Sequence, residues 1–305
     1  MFEEKARVGL SRERARRVGL RSSLALSGVA LTLLAGCSAE TTDQLKRLGL
    51  PEPATTQAPS IGDLWIGTWI AAGSIGIAVY ALVIWAALRY RTNHNDMPKQ
   101  NRYNLPMEIF YTVAPFVVIG VLFYYTVLAQ NVVTKNPDPD LTVDVVGQKW
   151  AWTFNYKSAE VPGVGTDVWE TGTINQWSTL YLPVNKTVRF NLSSPDVNHS
   201  FWVPVFYQKM DVIPGRDNHF TVTPNREGVF NGKCAELCGT YHQSMLFEVH
   251  VVSEAEYEAH LKTLVARGQT GAAKGAAIPN PVGEPGNTSE GDPEPAPAAQ
   301  QGGTR

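Results

Sequence analysis

Two long uncharged stretches constrain this chain more than any other feature of its sequence. Residues 64–88 and 109–128 are apolar and contain no charged side chain. A helix of about 20 such residues crosses the hydrocarbon core of a bilayer. Trp65 and Trp85 lie near the two ends of the first stretch, as in the aromatic belts of membrane interfaces. The sequence therefore predicts a two-helix transmembrane hairpin over residues 61–130.

The connection between the two stretches is basic. It carries Arg89, Arg91, Lys99 and Arg102 against the single acid Asp96. Basic residues next to membrane helices favour the cytoplasmic side. This connection is predicted to lie in the cytoplasm, with the chain on both sides of the hairpin outside the plasma membrane.

The N-terminus has the features of a secretory signal. Five arginines occur between residues 12 and 21, and they are followed by the apolar residues 24–34, too few to cross a bilayer. Such a pattern before small residues is typical of a signal peptide, here residues 1–36. The sequence Leu-Ala-Gly-Cys at its end resembles a bacterial lipobox, which would make Cys37 the lipid-bearing first residue of the mature chain. A signal peptide with an incidental cysteine is the alternative, and residues 37–60 are predicted to be an extracytoplasmic linker.

The pattern changes after the hairpin. Between residues 136 and 253, short β-rich segments alternate with clusters of Pro, Gly, Asn and Asp. This pattern, without a regular alternation of helices and strands, is typical of a β-sandwich or β-barrel. Residues 254–267 are predicted to form a short helix. Residues 268–305 have almost nothing apolar to bury and are predicted to be a disordered tail.

Charge excludes one class of partner. The chain has 26 basic and 28 acidic residues and a formal net charge of −2. Nucleic-acid binding needs a basic field, so no nucleic-acid partner is expected.

Metal-binding side chains are concentrated in one segment. It begins at Cys234, ends at Met245 and also contains Cys238 and His242. Thiolates and thioethers are soft ligands, and imidazole also suits copper. A mononuclear copper site needs one cysteine, so the second thiol allows two metal ions to be bridged. A second histidine is then expected from elsewhere, and His199, in a turn-rich segment before a strand, is the candidate.

A disulfide or a structural zinc site would also account for the two cysteines. Neither alternative has a use for Met245 at this place. The other histidines, His94, His219, His250 and His260, have no comparable neighbours and are predicted to be structural or solvent-exposed.

The order of these features resembles subunit II of cytochrome c oxidase. The lipobox, the hairpin, the aromatic segment 150–152, the segments 195–201 and 211–216, and the double-cysteine loop follow one another as in that family. The resemblance covers nearly all of residues 64–252. It implies a membrane hairpin followed by an all-β, cupredoxin-like Greek-key barrel that binds the dinuclear copper centre CuA.

The resemblance also implies a set of copper ligands. Cys234 and Cys238 would bridge the coppers, and His199 and His242 would be the terminal imidazole ligands. A weak thioether ligand and a backbone carbonyl would come from Met245 and Glu236.

Further residues gain roles from the resemblance alone. Trp150 would be the exposed tryptophan that takes electrons from the donor, although a core aromatic is the alternative, and Asp196 would lie near the docking face as a steering acid. The side chain of Glu236 would point towards a magnesium site shared with subunit I. Glu108, seven positions before Pro115, would lie at the mouth of a proton channel completed by subunit I. By itself, Glu108 would be a solvated acid at a helix end.

The implied function is that of one subunit in a proton-translocating terminal oxidase. Electrons from a c-type cytochrome, free or within a supercomplex, would pass through the copper centre to haem in subunit I, where oxygen is reduced to water. Expected partners are subunit I, other oxidase subunits, the cytochrome and membrane lipid. The alternatives are a copper-free structural subunit and a Sco-like copper chaperone. Such chaperones have a Pro after the second cysteine and a thioredoxin-like fold, whereas Gly239 follows Cys238 here.

Overall fold

The computed structural model describes residues 39–91 and 100–273. The predicted signal peptide, Cys37, His94 and residues 274–305 lie outside the described residues. The chain divides into two units after Glu52, and the first contains the short helix α1. The helices are α1 Ala39–Lys46, α2 Ala58–Arg89, α3 Leu105–Val133 and α4 Glu254–Ala266.

Helices α2 and α3 form the hairpin predicted from the uncharged stretches. They are 32 and 29 residues long, and both are apolar enough to cross a membrane. The first part of α2 and the second half of α3 line one common cavity of about 650 Å³, so the helices run antiparallel. Most of their large apolar side chains are exposed in the isolated chain. This exposure is expected of helices whose surroundings are lipid or other membrane helices.

The domain after the hairpin contains ten strands in two five-stranded sheets. The first sheet has the order β3-β2-β1-β5-β8 and the second β4-β10-β9-β6-β7. Strand pairs β1/β5 and β4/β10 are parallel, and the other pairs are antiparallel. The strands are β1 Leu141–Gln148, β2 Ala151–Tyr156, β3 Val168–Thr171, β4 Ser178–Pro183, β5 Val188–Ser193, β6 His199–Val203, β7 Gln208–Val212, β8 Asn218–Val222, β9 Gly228–Cys234 and β10 Leu246–Val252.

Aromatic side chains between the two sheets form the core. The ring centroids of Phe190 and Phe201 lie 5.4 Å apart, and those of Phe154 and Phe247 lie 5.5 Å apart, so each contact joins one sheet to the other. Phe201 and Phe247 stack at 4.9 Å within the second sheet. Gly232 in β9 is required here, because a Cβ atom at this position would overlap the ring of Phe247. The predicted pair of apolar helices long enough to span a membrane and the cupredoxin-like β-domain are thus confirmed, with the barrel flattened into two facing sheets.

The predicted linker, residues 37–60, differs from the structure in its second half. Ala54 donates its backbone N–H to the carbonyl of Val205, and Thr56 donates to Thr223. Thr55 forms a β-bridge with Pro224, and the side chains of Ala54 and Thr55 are fully buried. The chain is therefore fastened to the β-domain immediately before α2 begins.

Residues 268–273, which composition assigned to a disordered tail, are attached to the β-domain. Gln269 accepts a hydrogen bond from the backbone N–H of Trp169, and Thr270 forms a β-bridge with Val168. The Asn155 side chain then donates to the carbonyl of Ala273 (3.0 Å) and accepts from its N–H (2.7 Å). Backbone pairing with the edge strand β3 holds residues 268–273 in place. Composition did not reveal this, because backbone pairing needs no apolar side chain.

Removing the side chain of Asn155 tests this attachment. Asn155 is buried, and its two hydrogen bonds hold Ala273. We expect Asn155→Ala to lower the free energy of unfolding by about 1–3 kcal/mol, since each lost hydrogen bond is worth roughly 1 kcal/mol. Urea unfolding of the full chain in detergent, followed by tryptophan fluorescence, measures the change. Asn231→Ala, at an exposed position on β9, is the matched control. Equal midpoints for the two variants would contradict the prediction.

Candidate metal centre

The double-cysteine loop joins β9 to β10 and closes on itself. The backbone N–H of Cys234, at the end of β9, donates to the carbonyl of Met245, just before β10. Inside the loop, the N–H of His242 donates to Gly239, and a short 3₁₀-helix covers His242–Ser244. These bonds fold the four sulfur- and imidazole-bearing residues of the loop into one small volume.

The two thiols lie side by side in a buried position. The Sγ atoms of Cys234 and Cys238 are 3.8 Å apart, far beyond the S–S bond length of about 2.05 Å. The cysteines are free and almost entirely buried. Because metal–thiolate bonds are about 2.3 Å long for zinc and comparable ions, both sulfur atoms can reach the same ion. The geometry therefore favours a metal site over the disulfide alternative.

Each thiol has an imidazole of its own. Nδ1 of His199 lies 3.8 Å from Sγ of Cys234, and Nδ1 of His242 lies 3.6 Å from Sγ of Cys238. His199, Cys234 and Cys238 form a group in which all ligand atoms are within 4.8 Å of one another. His242 lies outside that group, as expected for a second imidazole at the other end of the thiol pair.

Two further donors complete the set. Sδ of Met245 is buried 3.8 Å from Sγ of Cys238. The backbone carbonyl of Glu236 accepts from Sγ of Cys234 at 3.2 Å, while Glu236 itself is exposed. All six predicted metal residues thus meet in one place, with the soft donor set that suits copper.

The thiols differ in their proton affinity. The pKa of Cys234 is lowered, chiefly because its sulfur accepts a hydrogen bond from Cys238 and, against the effect of burial, another from His199. The pKa of Cys238 is raised by the same bond and by burial. Cys234 therefore ionises before Cys238, and a bound metal would displace the remaining thiol proton.

Asp196 is hydrogen-bonded to the predicted ligand His199. Its Oδ1 atom lies 2.9 Å from Nε2 of His199, and its Oδ2 atom accepts the backbone N–H of Lys149 at 2.7 Å. Burial opposes ionisation, but these bonds and one from the N–H of Val197 lower the pKa of the carboxyl. A ligating histidine usually donates its second ring N–H to such a carboxylate, which leaves Nδ1 free for metal. The expectation of a steering acid is wrong for Asp196, because its side chain is only 10% exposed and is occupied inside the site.

Trp150 is buried rather than exposed. Only 1% of its surface is accessible, so the expectation of an exposed tryptophan is wrong for this chain. Its Nε1–H donates to the carbonyl of Cys238 at 3.1 Å, and its ring packs edge-on against Tyr241. A Cβ atom at Gly239 would approach the indole to 3.0 Å, so the glycine permits this close packing. Trp150 therefore packs against the double-cysteine loop, residues 235–245 (the copper loop), and is hydrogen-bonded to it.

Glu108 lies far from these residues, in the first turn of α3. Its carboxylate accepts the backbone N–H of Asn104 at 2.9 Å, while the Asn104 side chain accepts the N–H of Met107. These two bonds are those of a helix N-cap. They give Glu108 a local structural role, and a role in proton uptake remains a proposal.

The chain is similar to known proteins over most of its length. The profile of the family described as "Cytochrome C oxidase subunit II, periplasmic domain" matches residues 141–252. The chain is 43% identical over 281 residues to the "Probable cytochrome c oxidase subunit 2" of Streptomyces coelicolor, covering 80% of this chain and 86% of that protein. It is 32% identical over 331 residues to the "Cytochrome c oxidase subunit 2" of Mycobacterium tuberculosis, covering 90% of each. A crystal structure of the periplasmic domain of cytochrome oxidase subunit II from Bradyrhizobium japonicum is 30% identical, covers 43% of this chain and 97% of that chain, and gives a TM-score of 0.38.

The support given by Asp196 can be tested through copper affinity. We expect Asp196→Asn to weaken copper binding about 10–100-fold, the usual cost of losing a hydrogen-bond partner of a ligand. Competition with a chelator on the purified full chain measures the affinity. Asp217→Asn, an exposed acid on the neighbouring β7–β8 loop, should leave it unchanged. If both variants bound copper alike, Asp196 would have no part in holding His199.

Proposed function

This chain belongs to the cytochrome c oxidase subunit II family, and from that premise we propose that it holds a dinuclear CuA centre that relays electrons from a c-type cytochrome into subunit I. The observation that carries the proposal is the pair of buried thiols 3.8 Å apart, each with its own imidazole at 3.6–3.8 Å. A single ion would not require this two-ended arrangement. Residues 141–252 contain ten strands and no α-helix, which also disfavours the thioredoxin-like chaperone alternative.

The bound copper pair would supply reversible one-electron chemistry, with one electron shared between two ions. The protein's own contribution is to keep the donors fixed. Cys234 belongs to β9 and His199 to the adjacent strand β6, while the carbonyl of Met245 is hydrogen-bonded to both Cys234 and the indole of Trp152. Ligands held by strand pairing and a packed core move little when the charge of the site changes, which favours fast electron transfer.

The hairpin would place this domain on the outer face of the bacterial plasma membrane. The N-terminal end of α2 and the C-terminal end of α3 adjoin the β-domain along the chain. The basic residues Arg89, Arg91 and Arg102 lie at the opposite end of the hairpin. The proposed boundaries are 61–130 for the hairpin and 136–253 for the copper domain. Removal of residues 1–36 and lipidation of Cys37 would add a second anchor to the membrane.

Oxygen reduction and proton pumping would occur in subunit I, with which this chain would assemble. The exposed Glu236 would reach a magnesium ion at that interface, and Glu108 would lie near the cytoplasmic mouth of a proton channel. The chain would act as the electron-receiving part of the oxidase, with Trp150 on the path to copper.

Copper binding and its spectrum test this function directly. The copper-loaded full chain should hold two copper ions and show a seven-line hyperfine pattern by electron paramagnetic resonance, because one electron is shared by two ions. Cys234→Ser should abolish that pattern, and His199→Gln should weaken or distort it. His250→Gln should not, because His250 lies on β10 beside Glu248 and outside the site. A four-line mononuclear spectrum from the unaltered chain would refute the dinuclear assignment.

A further inference from the structure

Because Trp150 is buried, a different residue must receive the electron at the protein surface. With 1% of its surface accessible, Trp150 cannot form the contact surface for a donor protein. Its indole does reach the copper loop, through the hydrogen bond to the carbonyl of Cys238. Another side chain must therefore lie between Trp150 and any docked donor.

Tyr241 is placed to be that side chain. Its ring meets the Trp150 ring edge-on, with centroids 5.0 Å apart and an angle of 77° between the planes. Tyr241 is partly exposed, whereas the indole beneath it is not. It also directly precedes the predicted ligand His242. An unbroken series of contacts thus runs from the surface through Tyr241 and Trp150 to Cys238.

The loops at the Tyr241 end of the domain carry few charged residues. Strand register brings five loops to this end of the domain: 149–150, 172–177, 194–198, 213–217 and 235–245. Their charged residues, histidine aside, are Lys149, Asp196, Arg216, Asp217 and Glu236.

Most of these charges cannot steer a partner. Lys149 and Asp196 are largely buried, and the exposed Arg216 and Asp217 are adjacent and opposite in sign. Glu236 is left as the one unbalanced exposed charge of the five loops. A single charge at physiological ionic strength gives little long-range attraction.

Apolar side chains are exposed at the same end. Trp177 is 44% exposed and directly precedes Ser178, which pairs with Phe247 two residues beyond Met245. Leu237, in the copper loop, is 77% exposed. Exposed aromatic residues in a region of low charge are typical of the centre of a protein interface.

We propose that Tyr241 is the point at which the electron enters the chain, at the centre of a weakly charged aromatic surface that docks a c-type cytochrome by apolar contacts. This inference rests on the proposed function and specifies the surface used by the donor. One electron leaves the ferrous haem of the cytochrome, which becomes ferric, and reduces the copper centre by one electron. No bond is made and no proton moves, and the two rings serve only as the intervening medium.

Variants of Tyr241 separate its ring from its hydroxyl. Tyr241→Ala should weaken the affinity of the metal-free full chain for a soluble c-type cytochrome about tenfold, the usual effect of truncating a central interface aromatic. It should also slow reduction of the copper-loaded chain in stopped-flow experiments, while the seven-line spectrum is retained. Tyr241→Phe should behave nearly like the unaltered chain. Val229→Ala removes an exposed apolar residue at the opposite end of β9 and is the matched control.

Salt dependence tests the nature of the surface. The reduction rate with a cytochrome that has an uncharged haem rim should change less than about threefold between low and physiological ionic strength, because few charges take part. A steep fall with salt would overturn the apolar docking surface. Trp150→Phe should also slow reduction, because the indole contacts the copper loop. If this variant were slow but Tyr241→Ala kept its affinity and rate, the role of Tyr241 would be overturned and the proposed function left intact. Failure of the unaltered chain to bind copper would instead overturn both.

Discussion

The pairing of β6 with β9 determines where an imidazole meets a thiol that lies 35 positions further along the chain. Phe201 stands opposite Cys234 in this antiparallel pair, and the N–H of Ala235 donates to the carbonyl of Ser200. A shift of one residue would turn His199 to the other face of the sheet and away from Cys234. The register is in turn fixed by the aromatic contacts of Phe201 with Phe190 across the core and with Phe247 in its own sheet. The strand register therefore brings His199 and Cys234 together without any contribution from a metal ion.

The copper loop adds its own constraints to this frame. Gly239, with a φ of 117°, adopts a backbone conformation that side chains disfavour, and its lack of a Cβ atom lets Trp150 pack on the loop. The indole then donates a hydrogen bond to the carbonyl of Cys238, so the copper loop is held by the turn between β1 and β2, which precedes it by more than 80 residues. Asp196, in the loop between β5 and β6, accepts hydrogen bonds from the N–H of Lys149 in the β1–β2 turn and from His199, which in turn contacts Cys234. Three separate loops are thereby linked around the thiols.

Much of this arrangement could be predicted from the sequence. The uncharged stretches predicted the hairpin, because crossing a bilayer demands long apolar helices, and the combination of Cys234, Cys238, His242 and Met245 predicted a copper-type donor set. The sequence predicted β-rich segments but not every strand, because short strands such as β3 and β7 carry no clear alternation. Residues 54–56 and 268–273 were assigned to a linker and a tail, since their attachment uses backbone hydrogen bonds that composition does not reveal.

Burial of particular side chains was the least predictable property. The sequence cannot tell whether Trp150 faces solvent, because the answer depends on Tyr241, which lies 91 positions away in the sequence and covers it only after β9 and β10 have paired. Asp196 is a similar case: an acid in a turn is normally solvated, but here His199 and two backbone N–H groups occupy its carboxylate.

These two outcomes share a physical cause. The loops that carry the ligands must satisfy their buried polar groups locally, and they use Asp196 and the indole of Trp150 to do so. Groups used inside the site are not available at its surface. The remaining exposed side chains of the copper loop are therefore the ones that can meet other proteins, with Tyr241 beside Trp150 and with Glu236 nearer the end of β9. A loop built in this way can present one part to an electron donor and another to an electron acceptor while its interior stays fixed.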